Sequence, residues 1–173
     1  AEDEEALKSA IEELDKASKR NIHITKQQTE DVKTLLTLMG IPIINAPCEA
    51  EAQCAELVKS GKAYATATED MDALTFGTPV VIRNIKDKVV EINMSKVLTG
   101  LEITYEQFID FCILCGCDYC ETIKGIGPKT ALKLVRKHGN IETILENLPT
   151  KYIVPSSLKD NLEEVRELFK NPD

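Results

Sequence analysis

Residues 45–76 read NAPCEAEAQCAELVKSGKAYATATEDMDALTF and hold two acidic pairs, Glu49 with Glu51 and Asp70 with Asp72, one on each side of a strand-like run. Pro47 suits the entry to a helix over EAEAQCAELVKS, residues 49–60, and Gly61 suits its close. The small and β-branched residues of KAYATAT, residues 62–68, predict a strand, and IPIINA at 41–46 predicts a buried strand ahead of the helix. Strand, helix and strand in this order make an α/β unit with a mostly parallel sheet. In open sheets of this kind ligands gather outside the carboxyl ends of the strands, and each acidic pair follows a proposed strand end. Ala50, Ala52, Met71, Ala73 and Leu74 interleave with the acids and require burial. Something must therefore neutralise these carboxylates.

Working outward, residues 2–20 place Ala6, Leu7, Ala10, Ile11, Leu14 and Ala17 at helical spacing, with acids early and bases late as the helix dipole prefers. Thr25 and Gln28 form a capping box for a second helix to Met39, ended by Gly40. TPVVIRNI (78–85) and VVEINM (89–94) flank KDK and predict a hairpin, and Ser95 is placed to cap a short turn up to Gly100. Thr104 with Gln107 opens a helix over YEQFIDFCILCG, and GIGPKTALKLVRKHG, NIETILENL and LKDNLEEVRELFK follow as helices. The expected organisation is residues 1–36 as helices, 37–117 as the α/β core and 118–173 as a helical portion. Ala1 without an initiator Met suggests a fragment.

The net charge of −8 argues against a chain that coats phosphates, since such binding relies on Lys and Arg releasing counterions. Charge is local, however, and Lys124, Lys129, Lys133, Arg136 and Lys137 fall within fourteen positions. No apolar run reaches the roughly 18 residues of a membrane span and no signal peptide opens the chain, so an intracellular address with no membrane partner is expected. The run CILCGCDYC (Cys112, Cys115, Cys117, Cys120) has a single residue between its two C-x2-C knuckles, whereas structural zinc sites separate them by a dozen or more. Free, mostly buried thiols in a reducing compartment are the expectation.

In an extended segment, residues two apart share a side, so Asp70 and Asp72 can aim at one point with Met71 turned to the core. In a helix, residues two apart diverge by about 200°, so Glu49 and Glu51 converge only if Glu49 lies in the entering turn. Asp118 follows the helix ending near Gly116 and brings a fifth carboxylate to the same edge. Like charges about 4 Å apart repel by roughly 4 kcal/mol at an effective dielectric near 20. Such a cluster must protonate, pair with bases or bind a hard cation, and residues 45–58 contain no base. All-oxygen donors without His suit Mg²⁺ or Mn²⁺, and two such ions are the usual device for phosphodiester hydrolysis. The competing reading is that they are ordinary helix-start and turn acids.

Gly125-Ile126-Gly127 stands directly before Pro128, at the first position of a helix that carries Lys129, Lys133, Arg136 and Lys137. Glycines allow close backbone approach and a helix start offers free N–H groups to a phosphate. A hairpin-type helix-loop-helix grip that reads DNA backbone rather than bases is expected here.

LMGIPIINAPCEAEAQCAELVKSGKAYATATEDMDALTFGTPVVIRNI and FIDFCILCGCDYCETIKGIGPKTALKLVRKHGNIETIL closely resemble the internal region of eukaryotic flap endonucleases. These belong to the structure-specific 5′-nuclease superfamily, with its PIN-like core, that includes the xeroderma pigmentosum G nuclease and exonuclease one. The resemblance runs from about Thr25, and its specific carriers are E-A-E-A, T-E-D-M-D, G-C-D-Y-C and G-I-G-P-K in that order. It implies two-metal cleavage of 5′ flaps on branched DNA, with 5′-3′ exonuclease activity, in Okazaki fragment maturation and base-excision repair. The location implied is the nucleus, with a mitochondrial pool. By the same resemblance Glu49 and Glu51 serve the first metal, Asp70 and Asp72 the second, and Asp118 acts partly through water. The ions are Mg²⁺, replaceable by Mn²⁺. Gly125, Gly127, Lys129, Thr130 and Lys133 belong to a helix-two-turn-helix on DNA, where backbone oxygens of Thr122, Ile123 and Ile126 hold K⁺. Residues 1 to about 24 correspond to half of a helical arch.

The family's first strand, its two N-terminal catalytic aspartates and its basic arch residues have no counterpart in the chain. The tail that binds the sliding clamp PCNA has none either, and the segment around NIKDKVVEI is shorter than usual. Three readings stay open: a nuclease portion acting with its N-terminal part, a non-catalytic binder of DNA junctions, and a fragment whose open sheet edge pairs with another copy.

Overall fold

The computed structural model describes residues 24–172. The helix expected over residues 2–20 lies outside the described residues. The chain divides into two compact units, one ending at Asn45 and one running from Ala46.

In the first unit, α1 spans Lys26–Leu38 and starts at the expected capping box: Thr25 Oγ1 accepts from the Gln28 N–H while the Gln28 side chain accepts from the Thr25 N–H. Gly40, at φ +75°, ends it. The expected buried strand over residues 41–46 does not form. The Ile41 N–H turns back to the Leu36 carbonyl at 2.9 Å and the Gly40 N–H to Thr37, a Schellman closure that spends the start of the run on the helix end. Ile41 and Ile44 are 43% and 56% exposed.

In the second unit, α2 (Ala50–Lys59) buries Ala52, Ala55 and Val58. It closes the same way, and this shortens the next strand. The N–H groups of Lys62 and Ala63 both go to the Leu57 carbonyl, at 2.9 and 3.1 Å, so they cannot join a ladder. The strand expected over 62–68 is therefore β1, Thr66–Ala67 alone. It pairs in parallel with β2 (Val80–Arg83), and β2 pairs antiparallel with β3 (Val90–Asn93) across the expected hairpin. Between β1 and β2 a short helix, α3 (Asp72–Thr75), buries Ala73, Leu74 and Thr75. α4 (Met94–Leu101) starts two residues earlier than Ser95 suggested. Asn93 Oδ1 accepts from the Lys96 N–H and the Ser95 hydroxyl, so Asn93 caps and Ser95 is a helical residue beside it. α5 (Tyr105–Cys115) opens at the Thr104–Gln107 capping box as expected.

The helical portion is α6 (Pro128–His138), α7 (Ile141–Glu146), α8 (Ser156–Asp160) and α9 (Leu162–Lys170), the last two divided at Asn161. One core joins it to the sheet: Leu74, Phe76 and Val81 pack with Ile109, Ile113 and Phe169, and the Phe76 and Phe169 rings meet at 5.1 Å. Asp110, buried on α5, accepts from the Ile141 N–H at 3.0 Å and from Arg166 of α9 at 2.7 and 2.8 Å. Arg166 also bonds Glu142 and Glu163. Burial works against its charge, yet Glu142 and Asp110 hold its pKa above the ordinary arginine value. Among the described residues no helix is long and apolar enough to cross a membrane.

Candidate active site

The five predicted acids reach the site through three local devices. Glu49 is the N-cap of α2 with extended backbone (φ −79°, ψ 131°), and its side chain makes no capping bond. It stands in the entering turn, as the spacing required, with Glu51 in the first helical turn. Asp70 and Asp72 do not lie on an extended segment. The Asp72 N–H donates to Asp70 Oδ1 at 2.9 Å and the Asp70 N–H to Thr68 Oγ1 at 3.0 Å, so one carboxylate nucleates the short helix that carries the other. Met71 is 42% exposed instead of buried, and its sulfur accepts from Arg83 at 3.0 Å. Asp118 lies in the turn after α5. Gly116, at φ +122°, sends the chain there, and a Cβ on it would stand 3.1 Å from Thr122 Cγ2.

Half-buried Asp72 is the focus. Its pKa is raised, first by desolvation and then by the carboxylates of Asp70, Asp118, Glu51 and Glu49. All five predicted acids therefore share one electrostatic neighbourhood, without any single point of ligation. Among the described residues no three His, Cys, Asp or Glu side chains stand close enough to hold one ion. The two observations agree, because Coulomb repulsion acts well beyond ligand-bond distance. The donor chemistry, carboxylate oxygens without His, fits a hard divalent cation.

Sequence reasoning passed over Tyr119. Burial, followed by the charges of Glu49, Asp72 and Asp118, pushes its hydroxyl up to about 12, so at neutral pH it remains a hydrogen-bond donor to the acidic cluster. Its ring packs edge-on against Phe169 at 5.5 Å. The one signal was its place directly after Asp118, in a motif read only for its acid and its cysteines. Those cysteines are free thiols, as expected, though Cys112, Cys115, Cys117 and Cys120 are half-buried and not fully covered. Burial raises Cys112 to about 12 and Cys115 to about 11.

Beyond Asp118, a turn closed by the Ile126 N–H on the Ile123 carbonyl at 3.0 Å anchors both isoleucines in the core. Gly125 occupies its left-handed position at φ +90°, with Tyr152 Cε1 placed 3.5 Å from where a Cβ would be. Thr122 is exposed, and the Ile123 carbonyl keeps a second lone pair beside its turn bond. Gly127 is the N-cap of α6 and Pro128 its first residue, and no side chain caps the helix start. Lys129, Lys133 and Lys137 are exposed at four-residue spacing on one face, with Thr130 partly covered at the mouth and Ala131 and Val135 buried behind. Arg136 departs from the expected phosphate role. Its Nε donates to the Leu101 carbonyl at 2.8 Å and its guanidinium lies 3.5 Å from Glu102, so it satisfies the free carbonyl end of α4.

The profile described as the XPG I-region matches residues 40–118. Flap endonuclease 1 of Aedes aegypti is 55% identical over 169 residues, which cover 94% of this chain and 44% of that protein. The chain thus spans less than half the length of such curated relatives. Among solved structures, the flap endonuclease-1 from Methanococcus jannaschii superposes with a TM-score of 0.74 at 35% identity, covering 96% of this chain and 50% of that one. The Holliday junction-resolving enzyme GEN1, solved with product DNA and a Mg²⁺ ion, gives 0.66 at 25% identity, covering 88% of this chain and 43% of that one.

Proposed function

Since the chain belongs to the flap endonuclease family, we propose that it carries most of the acidic centre and the duplex grip of a structure-specific 5′-flap endonuclease. The observation that carries this reading is the field at Asp72, to which four other carboxylates from three separate turns contribute. Glu49 and Glu51 supply oxygens from the start of α2, Asp70 and Asp72 from the start of α3, and Asp118 from the turn after α5. Mg²⁺ or Mn²⁺ bound among them would supply a Lewis acid that lowers the pKa of water and offsets charge on the phosphodiester. The Tyr119 hydroxyl keeps its proton and offers it as a hydrogen bond on the Glu49 side of the cluster. Gly125, Gly127 and the bare start of α6 receive a backbone phosphate, while Lys129, Thr130 and Lys133 hold the duplex beside it. Carbonyls of Thr122, Ile123 and Ile126 are the candidates for a K⁺ ion at that grip. Branched DNA as substrate, a nuclear address and PCNA as partner of the full-length protein come with this reading. Residues 1–36, 37–117 and 118–173 are its arch, core and grip.

The test is a calorimetric Mn²⁺ titration of the chain and of an Asp70→Asn/Asp72→Asn variant, with cleavage of a labelled 5′-flap duplex in parallel. Asn at 70 keeps the oxygen that caps the Asp72 N–H, so the variant removes charge without removing the turn. Binding lost in the variant is the expected result. Equal binding by both would return the acids to turn-forming roles, and DNA binding without any metal binding would favour the junction-binding reading.

A further inference from the structure

The C-x-x-C motif of residues 117–120 brackets Asp118, and its two cysteines face each other. Cys117 and Cys120 form an isolated antiparallel bridge, and their sulfurs lie 3.6 Å apart. Residues opposed in such a bridge have Cα atoms about 4.5–5.5 Å apart, within the range of about 4.4–6.8 Å that a disulfide spans. Both side chains are partly exposed, so a small oxidant can reach them. Among the described residues no third ligand joins them to hold a metal, and structural zinc takes four.

We propose that Cys117 and Cys120 are a reversible oxidation site that closes to an intrachain disulfide across the turn carrying Asp118 and Tyr119, with a hydroperoxide as oxidant. One sulfur attacks the peroxide, its S–O bond forming as the O–O bond breaks, to give a sulfenic acid and water. The second sulfur then attacks the first, forming the S–S bond and expelling the oxygen as a second water. Two thiols and one hydrogen peroxide become one disulfide and two waters, and a dithiol reductant reverses the change. Closure draws the sulfurs from 3.6 Å to about 2.05 Å. The bridge residues are already paired, so the adjustment falls on the two cysteine side chains and the two residues between them. Asp118 acts on Asp72 and Tyr119 packs on Phe169, so the displacement reaches the acidic cluster.

The reduced chain is treated with hydrogen peroxide, denatured, alkylated with iodoacetamide and digested for mass mapping. The expected peptide holds both cysteines unalkylated and lighter by two hydrogens, and dithiothreitol restores alkylation. Alkylation of both residues, sulfinic acid at either, or bridges from them to Cys112 or Cys115 would overturn the site. Amide shifts of Asp118 and Tyr119 in ¹H–¹⁵N spectra move on oxidation, and unchanged shifts would overturn the displacement. A further arm rests on the metal reading above: oxidation weakens Mn²⁺ binding by about tenfold, while a Cys117→Ser/Cys120→Ser chain binds equally with and without peroxide. If the reduced chain binds no Mn²⁺, that reading fails and the mapping and the amide shifts still decide the site.

Discussion

Asp72 is held where its charge is least welcome. Desolvation and four like-charged neighbours raise its pKa, so the folded state takes up a proton more readily than the unfolded chain does. The sign follows: where the folded pKa of a carboxyl exceeds the unfolded one, stability falls as pH rises from the unfolded value through the folded value, and the deficit persists at neutral pH. Asp72→Asn is therefore expected to raise the thermal midpoint of the metal-free chain at pH 7, and to lose that advantage when saturating Mg²⁺ is added to both proteins. Thermal unfolding with and without the ion checks it, and a lower midpoint for the metal-free variant would show that the carboxylate is structural. That these five acids share one electrostatic neighbourhood was legible from a helix entry at Glu49 and a helix end before Asp118, although the strand expected ahead of Glu49 does not form. How Asp70 and Asp72 are held was not, because a period-of-two argument does not see the Asp72 N–H captured by Asp70. Tyr119 was illegible for a similar reason, since its role comes from a turn that brings Asp118 and Glu49 beside it.

Helices declare their ends in side chains, and strands declare theirs in partners. The Thr25–Gln28 and Thr104–Gln107 boxes predicted two helix starts correctly because both halves of each bond lie within four residues. The strands over 41–46 and 62–68 failed or shrank because the preceding helices took the N–H groups of Ile41, Lys62 and Ala63, a competition that composition does not record. The same distinction divides the basic residues of α6. Lys129 and Lys133 point to solvent, whereas Arg136 is tied to the Leu101 carbonyl. Lys129→Ala/Lys133→Ala is expected to weaken binding to a flap duplex and to lessen the slope of log affinity on log salt by about 2, near 0.9 for each phosphate no longer neutralised. Arg136→Ala should leave that slope unchanged and lower the unfolding midpoint, because it frees a helix-end carbonyl. Binding isotherms at several salt concentrations, read beside denaturation curves, separate the two. A salt slope reduced by Arg136→Ala would restore that residue to the phosphate face.

At the scale of the whole second unit, a buried charged knot fastens the helical portion to α5. Asp110 on α5 receives the Ile141 N–H at the start of α7 and two bonds from Arg166 of α9, whose side chain is only 14% exposed. A pair this covered is weak grounds for net stability against an apolar substitute, but removal of one partner strands the other. Arg166→Ala should therefore cost about 3–5 kcal/mol. Arg166→Met, which keeps much of the packing, should cost no less if the stranded Asp110 charge is the cause. Acid supplies a second test. The hydrogen bond from Arg166 holds Glu142 below the usual carboxylate range, so its contribution is fully present above the unfolded value of about 4.3. It disappears as pH falls through the lower folded value, with stability declining on the acid side of that point. In Glu142→Gln this part of the decline should be absent, so the unfolding free energies of the two proteins converge as pH falls through the lowered folded value and separate above the unfolded value of about 4.3. Urea denaturation across that interval measures the difference, and parallel curves for the two proteins would mean that Glu142 lends the knot no charge-dependent support.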